Sequence, residues 1–478
     1  MPQSPNIILI ISDQHRREAC GCYGNRVVKT PNIDRLARRG VRFSRAYCDS
    51  PLCAPSRASL VTGLRPHHHG ALFHAVNGKQ PGIEGAPGIT CERTIGEFLR
   101  DNGYDTAAIG KMHVHGETPI NDLGFSFRKH RFYTYTFREY IEAVGQENMD
   151  RYLGPGFPEQ TPRAYRDKRW NLNTDNTPVD MEEDKMQDSL VTATAVQYIA
   201  EKAELQRSGC GRPFFVHVGL EKPHPPWKTQ PRFHALYDPD QMRLPRTRYE
   251  QDETGGYDYI QQGRRKNPFT DDDMRHSVAA YYANVTNMDE NVGKVVDAAV
   301  EAGVYDNTVF IYTSDHGDNL FDHGLTGKHC MYEASVGVPL IISYPAAFPQ
   351  NTETDQLSSL LDLYPTLADL IGVPVPSKLD GQSLLPAVNG APARDRMLYS
   401  EFHEAGPLRM IRTEKWKYIY THQRSDQLYD VENDPDEMNN LAAEPAYGET
   451  VRELRTAALD DWVELEEGFL ERNVSQHR

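Results

Sequence analysis

The chain has 478 residues, 38% of them apolar and 35 of them glycine, which allows a large buried core with no disulfide or metal staple and excludes collagen-like, coiled-coil and wholly disordered classes. The length fits one large α/β domain plus a smaller one. With 52 Lys and Arg against 68 Asp and Glu, the net charge of −16 denies the surface the basic footprint that duplex nucleic acid or an anionic membrane requires, although a few cations in a cleft still suit a small anion.

Residues 6–12 (Asn-Ile-Ile-Leu-Ile-Ile-Ser) read as a buried strand and are too short for a signal-peptide core. Residues 32–39 read as a short helix stopped by Gly40, and residues 41–47 alternate like a strand. Pro55 suits the opening of the next helix. Residues 93–102 form a helix closed by Gly103, followed by strand 104–109. Residues 115–180, rich in Gly, Pro, Asn and aromatics, look like a long insertion. Helix 184–207, strand 213–219, a loop-like stretch at 225–270, helix 275–302, strands 308–314 and 338–344, and helix 357–371 follow.

Strands alternating with helices predict a large mixed, mostly parallel sheet flanked by helices. After Gly372-Val-Pro-Val-Pro the character changes to short strand candidates at 397–402, 407–413, 415–421 and 426–431, with a last helix at 447–464. The expectation is a catalytic α/β domain over 1–375 and a small C-terminal antiparallel-sheet subdomain over 376–478. No run of 18 apolar residues exists, so no membrane span is expected. The chain is expected in the cytoplasm if Met1 is the native start, and in the periplasm or outside the cell if a leader has been removed. The seven cysteines (20, 22, 48, 53, 91, 210 and 330) are odd in number and scattered, as in a reduced protein.

Ligands of open α/β sheets bind beyond the carboxyl ends of the strands. Five predicted strands lead into Asp13-Gln14, Cys53-Ala-Pro-Ser-Arg57, Gly-Lys111-Met-His113, Glu-Lys222-Pro-His224 and Asp315-His316-Gly-Asp318. Asp13, Gln14, Asp315 and His316 offer two carboxylates, an amide and an imidazole. The oxygens suit Ca²⁺ or Mg²⁺, and the imidazole leaves Mn²⁺ or Zn²⁺ open. The alternative is that Asp13 and Asp315 only cap helices; one metal explains both dipeptides together. Cys53, just before a predicted helix N-terminus, is expected to have a lowered thiol pKa, the alternative being a buried, inert thiol. Arg57 lies one turn on, on the same face. Lys111, His113, His224 and Lys328 are the remaining cations. His67, His68 and His69 cannot easily face one ion and read as loop, and Cys330 reads as packing.

Together these residues resemble the sulfatase family. Cys53-Ala-Pro-Ser-Arg57 matches its C-x-P-S-R signature. Pro5 to Asp13, Gly110-Lys111-Met-His113, Lys222-Pro-His224, Ser314-Asp315-His316-Gly317, Gly327-Lys328 and the Leu428–Glu437 stretch fall in the family's order. The resemblance implies an alkaline-phosphatase-like fold and conversion of Cys53 to formylglycine by a maturation enzyme. It implies metal ligation by Asp13, Gln14, residue 53, Asp315 and His316, with Ca²⁺ favoured. Arg57, Lys111, His113, His224 and Lys328 would surround the residue-53 diol and the sulfate. A hydroxyl of the hydrated aldehyde would attack sulfur in line, and His224 or Lys328 would protonate the leaving alcohol.

The implied reaction is sulfate ester hydrolysis, with a small anionic sulfated saccharide as the favoured substrate. Two departures support a rival. Many relatives have Asp where Gln14 stands and Asn where His316 stands, whereas a Gln/His pairing also occurs in phosphonate monoester and phosphodiester hydrolases. Lys111 and His113 follow the sulfatase pattern. A third reading, a binding protein that kept the fold, conflicts with every expected polar position being filled. Phe132, Tyr133, Tyr135, Phe137, Trp170 and Trp227 are candidates to stack on a substrate ring or to pack within their loops. Oligomeric state is not legible.

Overall fold

Strand β1 (Asn6–Asp13) is covered on both faces: Ile7, Leu9 and Ile11 enter one core, Ile8 and Ile10 the other. Two-sided burial explains its unbroken apolar run. The same holds in β5 (Phe214–Pro223), where Phe215 faces the first core and Phe214, Val216 and Val218 the second. This computed structural model describes residues 4–73, 89, 93–114, 123–129, 138–153, 176–249, 269–375, 378–403 and 407–459.

The main sheet also contains β2 (Val41–Tyr47), β3 (Asp105–Gly110), β4 (Phe127–Lys129), β6 (Thr308–Ser314), β7 (Gly337–Ser343), β8 (Thr352–Thr354) and β9 (Ser358–Ser359). Its order is β4-β3-β5-β1-β6-β7-β2-β8, with β9 also paired to β2. Strands β4, β3, β5, β1 and β6 are mutually parallel, and β7 is antiparallel to both β6 and β2. Two reversals leave β2 pointing the same way as β6. Every strand of this sheet but β7 therefore points its carboxyl end to one edge, and β1, β2, β3, β5 and β6 are the ones that lead into the segments singled out in the sequence.

Helices Gln187–Arg207 and Asp271–Glu301 cover one face and helices Cys53–Thr62 and Leu363–Leu370 the other. The longest, Asp271–Glu301, opens with a capping box between Thr270 and Asp273, which satisfies two orphan backbone donors. A second sheet is an antiparallel meander of β10 (Leu398–Phe402), β11 (Leu408–Arg412), β12 (Trp416–Thr421) and β13 (Gln427–Asp430). Ile411, Tyr418 and Leu428 on one face pack against Leu454 and Ala458 of the last helix, described over 448–459. Leu398, Phe402, Leu408, Met410, Ile419 and Tyr429 on the other face join the core of the main sheet. The expected fold class is the one observed.

Several boundaries differ. The helix expected to open at Pro55 starts two residues earlier, at Cys53. The helix expected from 357 starts at Leu363, after β9 and a 3-10 turn at Leu360–Asp362. The weakly periodic insertion contains helices Arg138–Val144 and Gln146–Leu153. The histidine tract is one helical turn, Pro66–His69, not loop. Among the described residues, no helix is long and apolar enough to cross a membrane.

Candidate active site

The β1–β6 register pairs Ser12 with Ser314, so the next residue of each strand, Asp13 and Asp315, stand side by side. The backbone then turns sharply. Gln14 has φ of 66°, and its N–H donates to Asp315 Oδ1 at 3.1 Å. A side chain held at positive φ is uncommon and clusters at functional sites. Cys53 begins the helix that follows β2, and Arg57 lies one turn along it. Arg57 Nε donates to Asp315 Oδ2 at 2.7 Å, and Nη1 donates to the Lys111 carbonyl at 2.8 Å. Lys111 follows Gly110, whose φ of 89° and approach to Gly219 leave no room for a side chain: a Cβ there would meet the Gly219 carbonyl at 2.1 Å. The close β3–β5 contact thereby brings the lysine to the sheet edge.

Asp13, Cys53, Asp315 and His316, all buried, offer ligand atoms lying within 4.8 Å of one another. His316 Nδ1 donates to the Gly317 carbonyl at 2.9 Å. That fixes the tautomer and turns the Nε2 lone pair inward, 3.1 Å from Cys53 Sγ. Gln14 donates through Nε2 to Asp318 Oδ2, so its amide oxygen is the end that meets Lys328, at 2.9 Å. Lys328 Nζ is also 2.9 Å from Cys53 Sγ. Two carboxylates, an oriented imidazole and an oriented amide oxygen form a donor set that fits a divalent cation.

Three buried cations flank this set. Lys111 Nζ lies 2.6 Å from Asp13 Oδ2 and 3.0 Å from Glu221 Oε2, Arg57 Nη2 lies 3.6 Å from Asp13 Oδ2, and Lys328 Nζ lies 4.0 Å from Asp13 Oδ1. Burial alone would raise the Asp13 carboxyl, but Lys111, His224, Lys328 and Arg57 hold it well below the usual carboxylate range. Burial pushes His316 down to about 4, and it pushes His224 well below the ordinary imidazole value despite Asp13. His224 Nδ1 donates to the Pro225 carbonyl at 2.7 Å.

The lowered thiol pKa expected at Cys53 is not found. Burial, reinforced by the Asp13 carboxylate, pushes the thiol up to about 12, and these outweigh Lys328 and Lys111. Asp13, Gln14, Cys53, Arg57, Lys111, Asp315, His316 and Lys328 are all brought together, and His224 is near enough to feel Asp13, Lys328 and Lys111. His113 stands two residues beyond Lys111, half-buried, with φ of 49°.

Lys222 turns elsewhere, to the Tyr152 hydroxyl at 3.0 Å and the Pro226 carbonyl at 2.7 Å. Trp227 is a core residue: fully buried, it donates to the Pro223 carbonyl at 2.9 Å and packs edge-on against Tyr281, so it is not a stacking surface. Phe132, Tyr133, Tyr135, Phe137, Trp170 and Cys91 lie outside the described residues. His68 meets Asp380 at 2.6 Å, His69 meets Ser59 at 3.0 Å, and His67 meets Glu401. Cys330 packs against Asn319. Sequence reasoning assigned no role to Asp318, which orients Gln14, or to Glu221, which meets Lys111. Both stand inside motifs already singled out, so their position was the available signal.

A family model described as Sulfatase matches residues 5–373, and one described as N-sulphoglucosamine sulphohydrolase, C-terminal, matches residues 321–462. The chain is 29% identical over 494 residues to an arylsulfatase of Clostridium perfringens (strain 13 / Type A), across 98% of this chain and 96% of the relative. It is 31% identical over 457 residues to a choline-sulfatase of Rhizobium meliloti (strain 1021), across 92% of this chain and 83% of the relative. It is similar to the solved phosphonate monoester hydrolase of Agrobacterium radiobacter, with TM-score 0.74 and 23% identity over 97% of this chain and 96% of that one. It is also similar to a protein solved in complex with its substrate D-glucosamine-2-N,6-O-disulfate, with TM-score 0.72 and 23% identity over 97% of this chain and 99% of that one. At these identities the two structural likenesses establish the fold.

Proposed function

The chain belongs to the sulfatase family and is a sulfuric ester hydrolase, and from that premise we propose that it acts on a sulfated carbohydrate, using a formylglycine made from Cys53 and a divalent metal. The observation that carries this reading is the meeting of Asp13, residue 53, Asp315 and His316 within 4.8 Å, beside three buried cations. Asp13, Gln14, residue 53, Asp315 and His316 would hold the metal, with Ca²⁺ favoured by the oxygen donors and Mn²⁺, Mg²⁺ or Zn²⁺ as alternatives. When bound, a divalent ion draws charge from the sulfate oxygens and acidifies a hydroxyl. Formylglycine, as its hydrate, would supply two hydroxyls, one to attack sulfur and one whose deprotonation expels the sulfate and restores the aldehyde, a release that a thiol cannot perform.

The remaining residues bind the anion and handle the proton. Arg57, Lys111 and Lys328 hold sulfate oxygens, with His113 bordering them beyond Lys111. Losing one such preorganised donor typically costs about 3–4 kcal/mol in the barrier. Of the two candidates, Lys328 is assigned as the proton donor to the leaving alcohol, because it stands at the site as an ammonium with protons to give. His224 has its Nδ1 proton committed to Pro225, which leaves the other ring nitrogen as an acceptor. The saccharide part of the reading is supported by the name of the C-terminal family model and by the sugar bound to the solved relative. A maturation enzyme is the implied partner. Every residue of the helix Cys53–Thr62 is buried, so that enzyme would need to act before the fold closes.

The test is co-expression with a formylglycine-generating enzyme, intact-mass analysis of residue 53, and parallel assays on an aryl sulfate and an aryl phosphonate monoester, followed by a panel of sulfated saccharides. Expected are thiol-to-aldehyde conversion, multiple turnover of the sulfate, and loss of multiple turnover in Cys53→Ser. Full turnover by Cys53→Ser would sink the mechanism. The Gln14/His316 pairing favours phosphonate hydrolysis as the second reading, and a phosphonate rate far above the sulfate rate would decide for it.

A further inference from the structure

We propose that Glu221 is a specificity-determining residue: a buried carboxylate behind Lys111 that tunes the anion pocket to singly charged ligands and against doubly charged ones. The inference rests on the reading of Lys111 as an anion-binding cation. Glu221 lies near the end of β5, where Asp188, itself buried, pins the backbone. Asp188 Oδ1 accepts the Glu221 N–H at 2.8 Å and Oδ2 accepts the Lys222 N–H at 3.1 Å. So anchored, the Glu221 carboxylate reaches two groups of the site. Oε2 is 3.0 Å from Lys111 Nζ, and Oε1 is 3.6 Å from His224 Nδ1.

Lys111 does not need this partner for charge balance. Its ammonium already lies 2.6 Å from Asp13 Oδ2, so it is shared between two carboxylates. Asp13 belongs to the four-residue ligand cluster and Glu221 does not. Glu221 therefore adds a negative charge to the pocket without serving the metal. Around the site, Arg57, Lys111 and Lys328 stand against Asp13, Asp315 and Glu221, three charges of each sign, with the buried Asp318 carboxyl beyond Gln14.

A fixed charge acts on a bound ion in proportion to the ion's own charge. The repulsion from Glu221 therefore falls twice as heavily on a dianion as on a monoanion of the same shape. Sulfate esters, phosphonate monoesters and phosphate diesters carry one charge on the tetrahedral group. Phosphate monoesters carry nearly two above their second pKa of about 6. The buried carboxylate thus discriminates by charge where tetrahedral shape does not.

The test uses phenylphosphonate at a pH where it is doubly ionised and methylphenylphosphinate, its singly charged isostere; neither has an ester to cleave. Both are titrated calorimetrically into the metal-loaded wild-type, Glu221→Gln and Glu221→Asp proteins. In Glu221→Gln the Kd of phenylphosphonate should fall about tenfold more than that of methylphenylphosphinate, and Glu221→Asp should keep the wild-type ratio within about threefold. Equal changes for the two ligands, or a weaker phenylphosphonate, would overturn the proposal. Glu221→Met, uncharged and of similar length, supplies the same comparison if Glu221→Gln does not fold. Because binding is read without turnover, failure of the sulfatase reading shows separately, as absent aryl sulfate hydrolysis by the wild type.

Discussion

The Gln14 side chain has an acceptor end and a donor end, and the metal reading needs the acceptor inward. Asp318 supplies the selection. Its Oδ2 accepts the Gln14 amide, while its Oδ1 accepts the Leu320 N–H at 2.7 Å and the Gly327 N–H at 3.2 Å, which fixes the carboxylate in place. Asp318→Asn sets a side-chain amide against the Gln14 amide and leaves Lys328 alone to select the orientation. Calcium affinity, titrated into the protein before residue 53 is matured, should fall about 10- to 100-fold, as is typical when a ligand's supporting partner is lost. An unchanged affinity would mean that Gln14 is not a ligand. Asp13 and Asp315 are legible in the sequence because each ends a long apolar strand. The orientation of Gln14 is not, because it depends on a residue 304 positions away and on a backbone turned to φ of 66°. Glu221 was hidden differently: it lies inside a visible motif, but its contact with Lys111 comes from the pairing of β3 with β5.

The segment between β2 and the helix Cys53–Thr62 carries a buried carboxyl, Asp49, that ties three elements together. Its Oδ1 accepts from the hydroxyl of Ser359, the last residue of β9, and its carbonyl accepts the Glu401 N–H of β10 at 2.9 Å. Burial pushes Asp49 up to about 8, opposed by the Ser359 hydrogen bond, reinforced by Asp362 and countered by Arg65 and Arg396. The group's ordinary value is 3.8, so between that pH and about 8 the native chain keeps a proton that the unfolded chain has released. Stability must then fall as pH rises through this window, by at most about 1.4 kcal/mol per pH unit from this one group. Asp49→Asn removes the contribution. Melting temperature measured between about pH 5 and 8 should decline less steeply in the variant than in the wild type, and parallel curves would refute the assignment. At this scale β1, β5, β6 and β7 were readable because two-sided burial leaves unbroken apolar runs, whereas the two- and three-residue strands β4, β8 and β9 were not. The helices Arg138–Val144 and Gln146–Leu153 were not, because seven or eight residues give too few turns to establish a period.

Across the whole molecule, one ionic network joins the edge of the main sheet to the second sheet. Lys417 of β12 is fully buried, with Nζ 2.7 Å from Glu333 Oε1 and 2.7 Å from Glu437 Oε1. Glu333 also meets Arg17, just beyond β1, at 3.0 Å and the Tyr47 hydroxyl, at the end of β2, at 3.2 Å. The Glu333 N–H in turn donates to Glu437 Oε2 at 2.7 Å. The segment bearing Lys328 leads into Glu333, so the second sheet is tied to the chain that follows the lysine. A change of composition near residue 375 suggested two parts, but the side chains of Leu408, Met410 and Ile419 lie in the same core as Ile7, Leu9 and Ile11 of β1. Composition records where the chain changes topology; it does not record which faces share a core. The expectation is one cooperative unit. Lys417→Ala leaves two buried carboxylates without their shared cation, and breaking a buried pair in this way costs about 3–5 kcal/mol. Because the network and the core both cross between the sheets, that loss should lower a single calorimetric transition, with secondary structure and aryl sulfatase activity lost at the same temperature. Two resolved transitions, with activity surviving the first, would show instead that the second sheet folds apart from the site.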